Sequence, residues 1–163
     1  MRRTIAVLAG LAVLAAVNWT ILQREQLILH GAVARLELAP LDPRSLMQGD
    51  YMALRFQLAN QAWRLGTDRK ADDGHIIVKP DEKGVARYVR HDAGGPLAPG
   101  ELRMRYRVRD GRVKFATNAW FFQEGHAKYY ERARYGEFRV APSGDLLLVH
   151  MLGEKLERLG PPG

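Results

Sequence analysis

The N-terminal segment constrains this chain most strongly. The run Thr4–Leu22 contains no charged residue and is apolar apart from one asparagine and two threonines. As a helix it would span about 28 Å at 1.5 Å per residue, close to the thickness of a bilayer's hydrocarbon core. Arg2 and Arg3 precede it, and Trp19 stands where an interfacial aromatic residue is expected. The sequence therefore predicts a single transmembrane helix at the N-terminus.

A cleavable signal peptide is the alternative interpretation of this segment. Residues 13–15 (Val-Leu-Ala) resemble a cleavage site, but apolar character continues beyond them to Leu22, which favours an uncleaved anchor. The charge bias that sets orientation is small, because Arg24 and Arg35 follow the helix closely. The short N-terminal tail is easily retained inside, and long domains are translocated largely regardless of charge. We therefore expect the body outside the cytoplasm.

Composition limits what the rest of the chain can be. Apolar residues make up 47% and charged residues 26%, as is ordinary for a folded protein. Cysteine is absent, which excludes disulfides, thiolate metal sites and cysteine nucleophiles. The net charge of +7 is compatible with an anionic partner or lipid headgroups and does not by itself indicate nucleic acid. We expect a tail and anchor over residues 1–22, one domain over 23–159 and a flexible tail over 160–163.

Apolar and polar residues alternate along most of the body, which is typical of β-strands. Residues 23–29 are predicted to extend the anchor helix, 60–74 to form an irregular excursion with a short helical piece, and 125–134 to form a short helix. Strands are predicted over 33–38, 51–58, 76–79, 85–89, 102–109, 112–115, 137–140 and 146–151. About eight short strands separated by turn signals predict a mainly β fold, a small antiparallel β-barrel or sandwich-like domain with one short helix.

The clearest hairpin turns at Asp110-Gly111, because both residues tolerate the positive φ of a two-residue hairpin turn. That turn fixes the register and places Val108 opposite Val113 on the core side. The opposite side carries basic side chains and is called the basic face. Its members are Arg103, Arg105, Arg107, Arg109, Arg112 and Lys114.

Like charges meet across this hairpin, Arg109 with Arg112 and Arg107 with Lys114, and each such pair is destabilising by some tenths of a kcal/mol. One interpretation is a solvated face neutralised by the protein's own acids, such as Glu101, Glu131 or Glu137. The other is a contact surface for anionic lipid or an acidic partner. The aromatic residues of these strands lie on the core side, so the interleaved stacking residues of single-stranded nucleic-acid binders are lacking.

Motifs of catalysis and metal binding are missing from the sequence. The histidines are scattered, and no HExxH spacing, GxSxG elbow or phosphate-binding glycine loop occurs. Glu124 and Gly125 stand beside His126, but capping of a helix start by Glu124 explains them without chemistry. We expect neither a metal ion nor a cofactor.

A family becomes recognisable in residues 43–56, which read PRSLMQGDYMALRF. Gly49, Asp50, Tyr51 and Leu54 match the signature of the GDYXXLXY-domain family, which this segment resembles, with Phe56 in place of the final tyrosine. Residues 121–125 (FFQEG) and 133–140 (ARYGEFRV) are also similar to that family, as is the order of anchor, Asp-Pro-Arg turn and motif strand. Because Phe56 keeps the ring without the hydroxyl, we expect this position to pack rather than react.

The motif has a structural and a functional interpretation. In the structural one, Gly49 permits a tight turn, Asp50 caps its N–H groups, and Leu54 and Phe56 fill space while Tyr51 lies on the other sheet face. The functional one is a recognition patch at one strand end, made of Asp42, Arg44, Asp50 and Tyr51.

An enzymatic alternative comes from residues 45–51, which are similar to the turn and strand that follow the nucleophile in membrane signal peptidases. That pattern would place the serine nucleophile at Leu41, which has no hydroxyl, and Ser45 would take the place of the following threonine. A deprotonated lysine is also needed as the base, and Lys70, Lys79 and Lys83 all lie near turn signals. We therefore expect no enzymatic activity.

The family resemblance implies a membrane-anchored bacterial protein with an accessory role. Such proteins are often associated with multi-spanning membrane proteins, and the resemblance supplies no activity or ligand. Together with the anchor it implies a single-pass protein of the bacterial cytoplasmic membrane, with its N-terminus inside and its body on the periplasmic side.

Overall fold

The computed structural model describes residues 2–40, 47–48, 51–65 and 73–162. It begins with helix α1, Arg2–His30. By length and composition the part Val7–His30 is able to cross a membrane, with a mean hydropathy of 1.4. The helix therefore includes the predicted extension over 23–29.

Within these described ranges, the body consists of antiparallel strands in three sheets, one of them curled into a half-barrel. The first sheet has the order β1-β9-β10, the second β2-β3-β8 and the third β5-β4-β6-β7. The strands are β1 Ala32–Glu37, β2 Met47–Gln48, β3 Tyr51–Ala53, β4 Gly74–Pro80, β5 Ala86–His91, β6 Leu102–Arg109, β7 Arg112–Phe115, β8 Ala119–Phe121, β9 Tyr135–Val140 and β10 Leu146–Leu152. The mainly β fold with an N-terminal helix is confirmed.

One hydrophobic core joins the three sheets. Each sheet contributes side chains that are almost fully buried, among them Leu36 and Phe138 from the first, Met52 from the second, and Ile76 and Phe115 from the third. Along β1 buried positions alternate with more exposed ones, as the period of two predicts.

The motif strand is shorter than the sequence predicts. Strand β3 ends at Ala53, Phe56 forms an isolated bridge with Leu38, and helix α2 occupies Gln57–Leu65. The alternation of apolar residues through Leu58 was misleading because Leu58 and Ala62 are both buried at the i, i+4 spacing of one helix face.

The helix predicted over 125–134 is wrong. Only the 3-10 turn Ala127–Tyr129 forms there, and successive turns bring Tyr130 and Ala133 into the core. Gly125 stands just before it at a φ of 79°, a left-handed conformation outside the helical range. The short helix of the body is therefore α2.

The Asp110-Gly111 hairpin forms in the predicted register. Val108 pairs with Val113, and Arg109 pairs with Arg112. Asp110 and Gly111 have φ values of 55° and 66°, the left-handed conformation that this turn requires.

Helix α1 joins the body near its C-terminal end. Its side chains from Val7 to Gln26 are exposed, whereas Leu27 is half-buried. The Arg139 guanidinium donates a hydrogen bond of 3.1 Å to the backbone oxygen of Gly31, directly after the helix. The body is therefore held close to the end of the anchor.

Candidate binding surfaces

The motif strand separates a buried and an exposed side. Leu54 and Phe56 are buried with Met52, and the Phe56 ring meets that of Phe138 edge-on at 5.4 Å between centroids. The predicted packing of position 56 is confirmed. Asp42, Arg44, Gly49 and Asp50, which belong to the motif or to the predicted patch, lie outside the described residues, as do Leu41 and Ser45.

Tyr51 lies on the other side of the strand, as predicted. It pairs with Phe121 of β8, and the two ring centroids are 5.9 Å apart. Tyr51 is half-buried, whereas 74% of Phe121 is exposed. The motif tyrosine and the neighbouring Phe121 form an aromatic patch at the surface, called the Tyr51–Phe121 patch.

Residues 121–125 resemble the family, but the sequence pattern did not predict that Phe121 is exposed at the surface. Residues 119–122 read Ala-Trp-Phe-Phe, an unbroken apolar run in which no alternation distinguishes an inner from an outer side. Only the pairing of β8 with β3 shows that this ring faces outward beside the motif.

Carboxylates neutralise part of the basic face, but they are not the ones predicted. The pairs are Arg103–Asp92 at 2.5 Å, Arg105–Asp145 at 3.4 Å, Arg109–Asp73 at 2.9 Å and Lys114–Asp110 at 3.3 Å. Among the described residues, no carboxylate lies within 4.0 Å of a side-chain nitrogen of Arg107 or Arg112.

The three glutamates expected to neutralise the basic face, Glu101, Glu131 and Glu137, form no ion pair with it among the described residues. Glu101 binds Arg90 through both oxygens, and the buried Glu137 accepts a 3.1 Å hydrogen bond from Arg35. Glu131 is exposed and belongs to none of the ion pairs found between described residues. Two of the three expected carboxylates are therefore engaged elsewhere, and the third is in no such pair.

The ion pairs of the basic face change the acidity of their carboxyl groups. The Arg109 hydrogen bond, followed by one from the Val108 N–H, lowers the pKa of Asp73. The pKa of Asp92 is lowered chiefly by the Arg103 hydrogen bond. For Asp145 the Ser143 hydroxyl has the largest effect and lowers the pKa, although burial opposes it.

A cleft of about 720 Å³ opens beside the basic face and is called the arginine cleft. Its lining combines the end of α1, strand β6 and the β9–β10 hairpin with the aromatic strand β8. The lining residues include Arg24, Arg105, Arg107, Trp120, Phe121, Asp145 and Leu147. Arg24 was not among the sequence candidates because it was considered only for its effect on membrane orientation.

Glu124 and Gly125, which the sequence also offers as candidates, lie just before the 3-10 turn Ala127–Tyr129. Glu124 is exposed, and the 3-10 turn that follows has His126 at its N-cap without a side-chain capping bond, so the predicted capping by Glu124 is wrong. His126 lies edge-on to Tyr129. Within the described ranges, no group of three His, Asp or Glu residues is arranged to hold a metal ion.

The chain combines an N-terminal apolar helix with a small antiparallel β body in which Tyr51 of the GDY motif begins strand β3. These features define a small β-rich protein with a candidate membrane anchor. The family model of the GDYXXLXY protein matches residues 13–151, and the chain belongs to the GDYXXLXY family. No curated protein and no solved structure matches it.

Proposed function

We propose that this chain is a membrane-anchored binding module that acts beside a multi-spanning protein of the bacterial cytoplasmic membrane. Its N-terminus lies inside, its body lies on the periplasmic side, and its role is to bind rather than to catalyse. The observation that carries the proposal is the Tyr51–Phe121 patch, which presents a large apolar ring next to the family's motif.

Phe121 has the properties of a contact residue. It is 74% exposed although it lies in a paired strand. Full burial of such a side chain contributes about 1.5–3 kcal/mol, and most of that remains to be gained on binding. Aromatic side chains are enriched at protein–protein interfaces. The Tyr51 ring packs against one side of the Phe121 ring.

The anchor supports the membrane location. The two polar side chains near the end of its uncharged run bond to the helix itself, Asn18 to the Leu14 carbonyl and Thr20 to the Ala16 carbonyl, each at 2.9 Å. Polar groups satisfied within the helix lower the cost of placing it in hydrocarbon. The exposed surface of the helix is then available to lipid or to a neighbouring transmembrane helix.

Site-specific photo-crosslinking in intact cells tests this proposal. A benzoylphenylalanine at position 121 is expected to crosslink the full-length protein to a multi-spanning membrane protein. The matched control carries the same group at Val89, another exposed apolar strand residue, with 42% of its surface accessible. Equal crosslinking from both positions, or none from position 121, would contradict the proposed contact.

A further inference from the structure

The arginine cleft carries more positive than negative charge. Three guanidinium groups line it, those of Arg24, Arg105 and Arg107, with Asp145 as the carboxylate of the lining. Guanidinium groups stay protonated in proteins. Asp145 accepts hydrogen bonds from Ser143 at 2.9 Å and from Arg105 at 3.4 Å, so its charge is already shared. One carboxylate leaves the cleft with an excess of about two positive charges.

The uncharged run Thr4–Leu22 indicates where the arginine cleft lies relative to a bilayer, if that run fills the hydrocarbon core. Arg24 comes two residues after Leu22, the end of the uncharged run, which places it about 3 Å further along the helix axis. The headgroup layer on each side of a bilayer is about 5–7 Å thick. With Leu22 at the edge of the hydrocarbon core, Arg24 falls within the layer that contains lipid phosphates.

The β9–β10 loop is near the same level. A neighbouring cavity is lined by Trp19 and Leu22 of the helix and by Pro142 and Ser143 of the loop. Arg24 and Asp145 line both cavities. The interfacial end of α1 and the charged cleft are thus adjacent.

From this placement we propose that the arginine cleft binds the phosphate of an anionic phospholipid in the leaflet from which α1 emerges. Arg24 and Arg107 donate hydrogen bonds to the phosphate oxygens, while Leu147 and Leu148 border the apolar part of the lipid. The proposal rests on the membrane placement of the proposed function. A soluble phosphate ester shares the recognised chemistry, so the test compares the two sources.

The test uses the full-length protein in detergent and measures lipid retention by native mass spectrometry. Phosphatidylglycerol, which is anionic, is titrated against the zwitterionic phosphatidylcholine. We expect preferential retention of phosphatidylglycerol and about a 30-fold loss of affinity in the double variant Arg24→Gln/Arg107→Gln, since each basic residue contributes about 1 kcal/mol and 1.4 kcal/mol is tenfold.

The matched control is Arg55→Gln/Arg132→Gln, which removes the same charge from exposed positions outside the arginine cleft and the basic face and should retain the lipid as the parent protein does. Glycerol phosphate and inorganic phosphate, added at the lipid's concentration, should not displace it. Displacement of the lipid by either compound would indicate that the cleft binds a soluble phosphate and would overturn the proposal. Equal losses in both double variants, or no preference between the lipids, would also overturn it.

Crosslinking from position 121 reports on the protein partner and is measured separately from lipid retention. If lipid is not retained but the crosslink from position 121 still forms, the lipid-binding proposal is wrong and the protein-partner proposal stands. If the crosslink is lost but lipid is still retained, the protein-partner proposal is wrong instead.

Discussion

Replacing Phe56 with alanine should lower the free energy of unfolding by about 4 kcal/mol. The side chain is only 4% exposed and meets Phe138 edge-on. Burial of a phenylalanine side chain accounts for about 1.5–3 kcal/mol, the cavity raises the cost of Phe→Ala to about 3–5 kcal/mol, and loss of the aromatic pair adds about 1 kcal/mol within that range. The site cannot close easily, because the glycine of β9, Gly136, already approaches both rings.

Gly136 shows how tightly this site is filled. A Cβ built there would lie 3.3 Å from Phe56, 3.2 Å from Phe138 and 3.0 Å from Leu148. Neighbours packed at this density relax only partly around a cavity. The cost of Phe56→Ala should therefore fall in the upper part of the range for such substitutions.

Urea unfolding of the full-length protein in detergent, followed by tryptophan fluorescence, measures this effect. Phe121→Ala is the matched control, since it removes the same ring from an exposed position and should change the stability by less than about 0.5 kcal/mol. A loss below about 1 kcal/mol for Phe56→Ala, or equal losses for the two variants, would refute the conclusion that the last aromatic position of the motif packs in the core.

Two further predictions concern the hairpin and the basic face. Gly111→Ala should lower the free energy of unfolding by about 1–2 kcal/mol in the same assay, because Gly111 has a φ of 66°. Gly95→Ala is the control and should be neutral, because a Cβ at Gly95 would meet no other atom. Equal effects of the two substitutions would argue against the turn. Because the Arg103 hydrogen bond lowers the pKa of Asp92 below its ordinary value of 3.8, the charged form stabilises the fold above that value, and this contribution is lost as the pH falls through the folded pKa. Asp92→Asn should therefore be less stable than the parent at pH 7 and lose less stability on acidification to pH 3; parallel pH profiles would exclude this role for Asp92.

Sequence patterns predicted the elements whose structure depends on neighbouring residues, such as the Asp110-Gly111 hairpin. The hairpin register follows from Asp110 and Gly111 alone, and it forms as expected. The end of β3 at Ala53 could not be predicted in this way. Apolar and polar residues alternate as far as Leu58, as in a strand, but Leu58 and Ala62 also have the spacing of one helix face. Where two periods share the same residues, tertiary packing decides between them.

The candidate sites depend on contacts between distant parts of the chain. Asp145 is 40 residues from Arg105, and Asp73 is 36 residues from Arg109, so no local pattern could pair them. The outward direction of Phe121 depends in the same way on the pairing of β8 with β3. The basic face itself was predictable, whereas its counter-ions and the contribution of Arg24 required the folded arrangement.

The central claim is that this chain works as an anchored module beside another membrane protein. Its most direct test is extraction of the full-length protein from native membranes in mild detergent, followed by size-exclusion chromatography and identification of the co-eluting proteins. We predict that it co-elutes with a multi-spanning membrane protein and that Phe121→Ser weakens this association while Val89→Ser does not. Recovery of the parent protein as a lone, monodisperse species would contradict the claim.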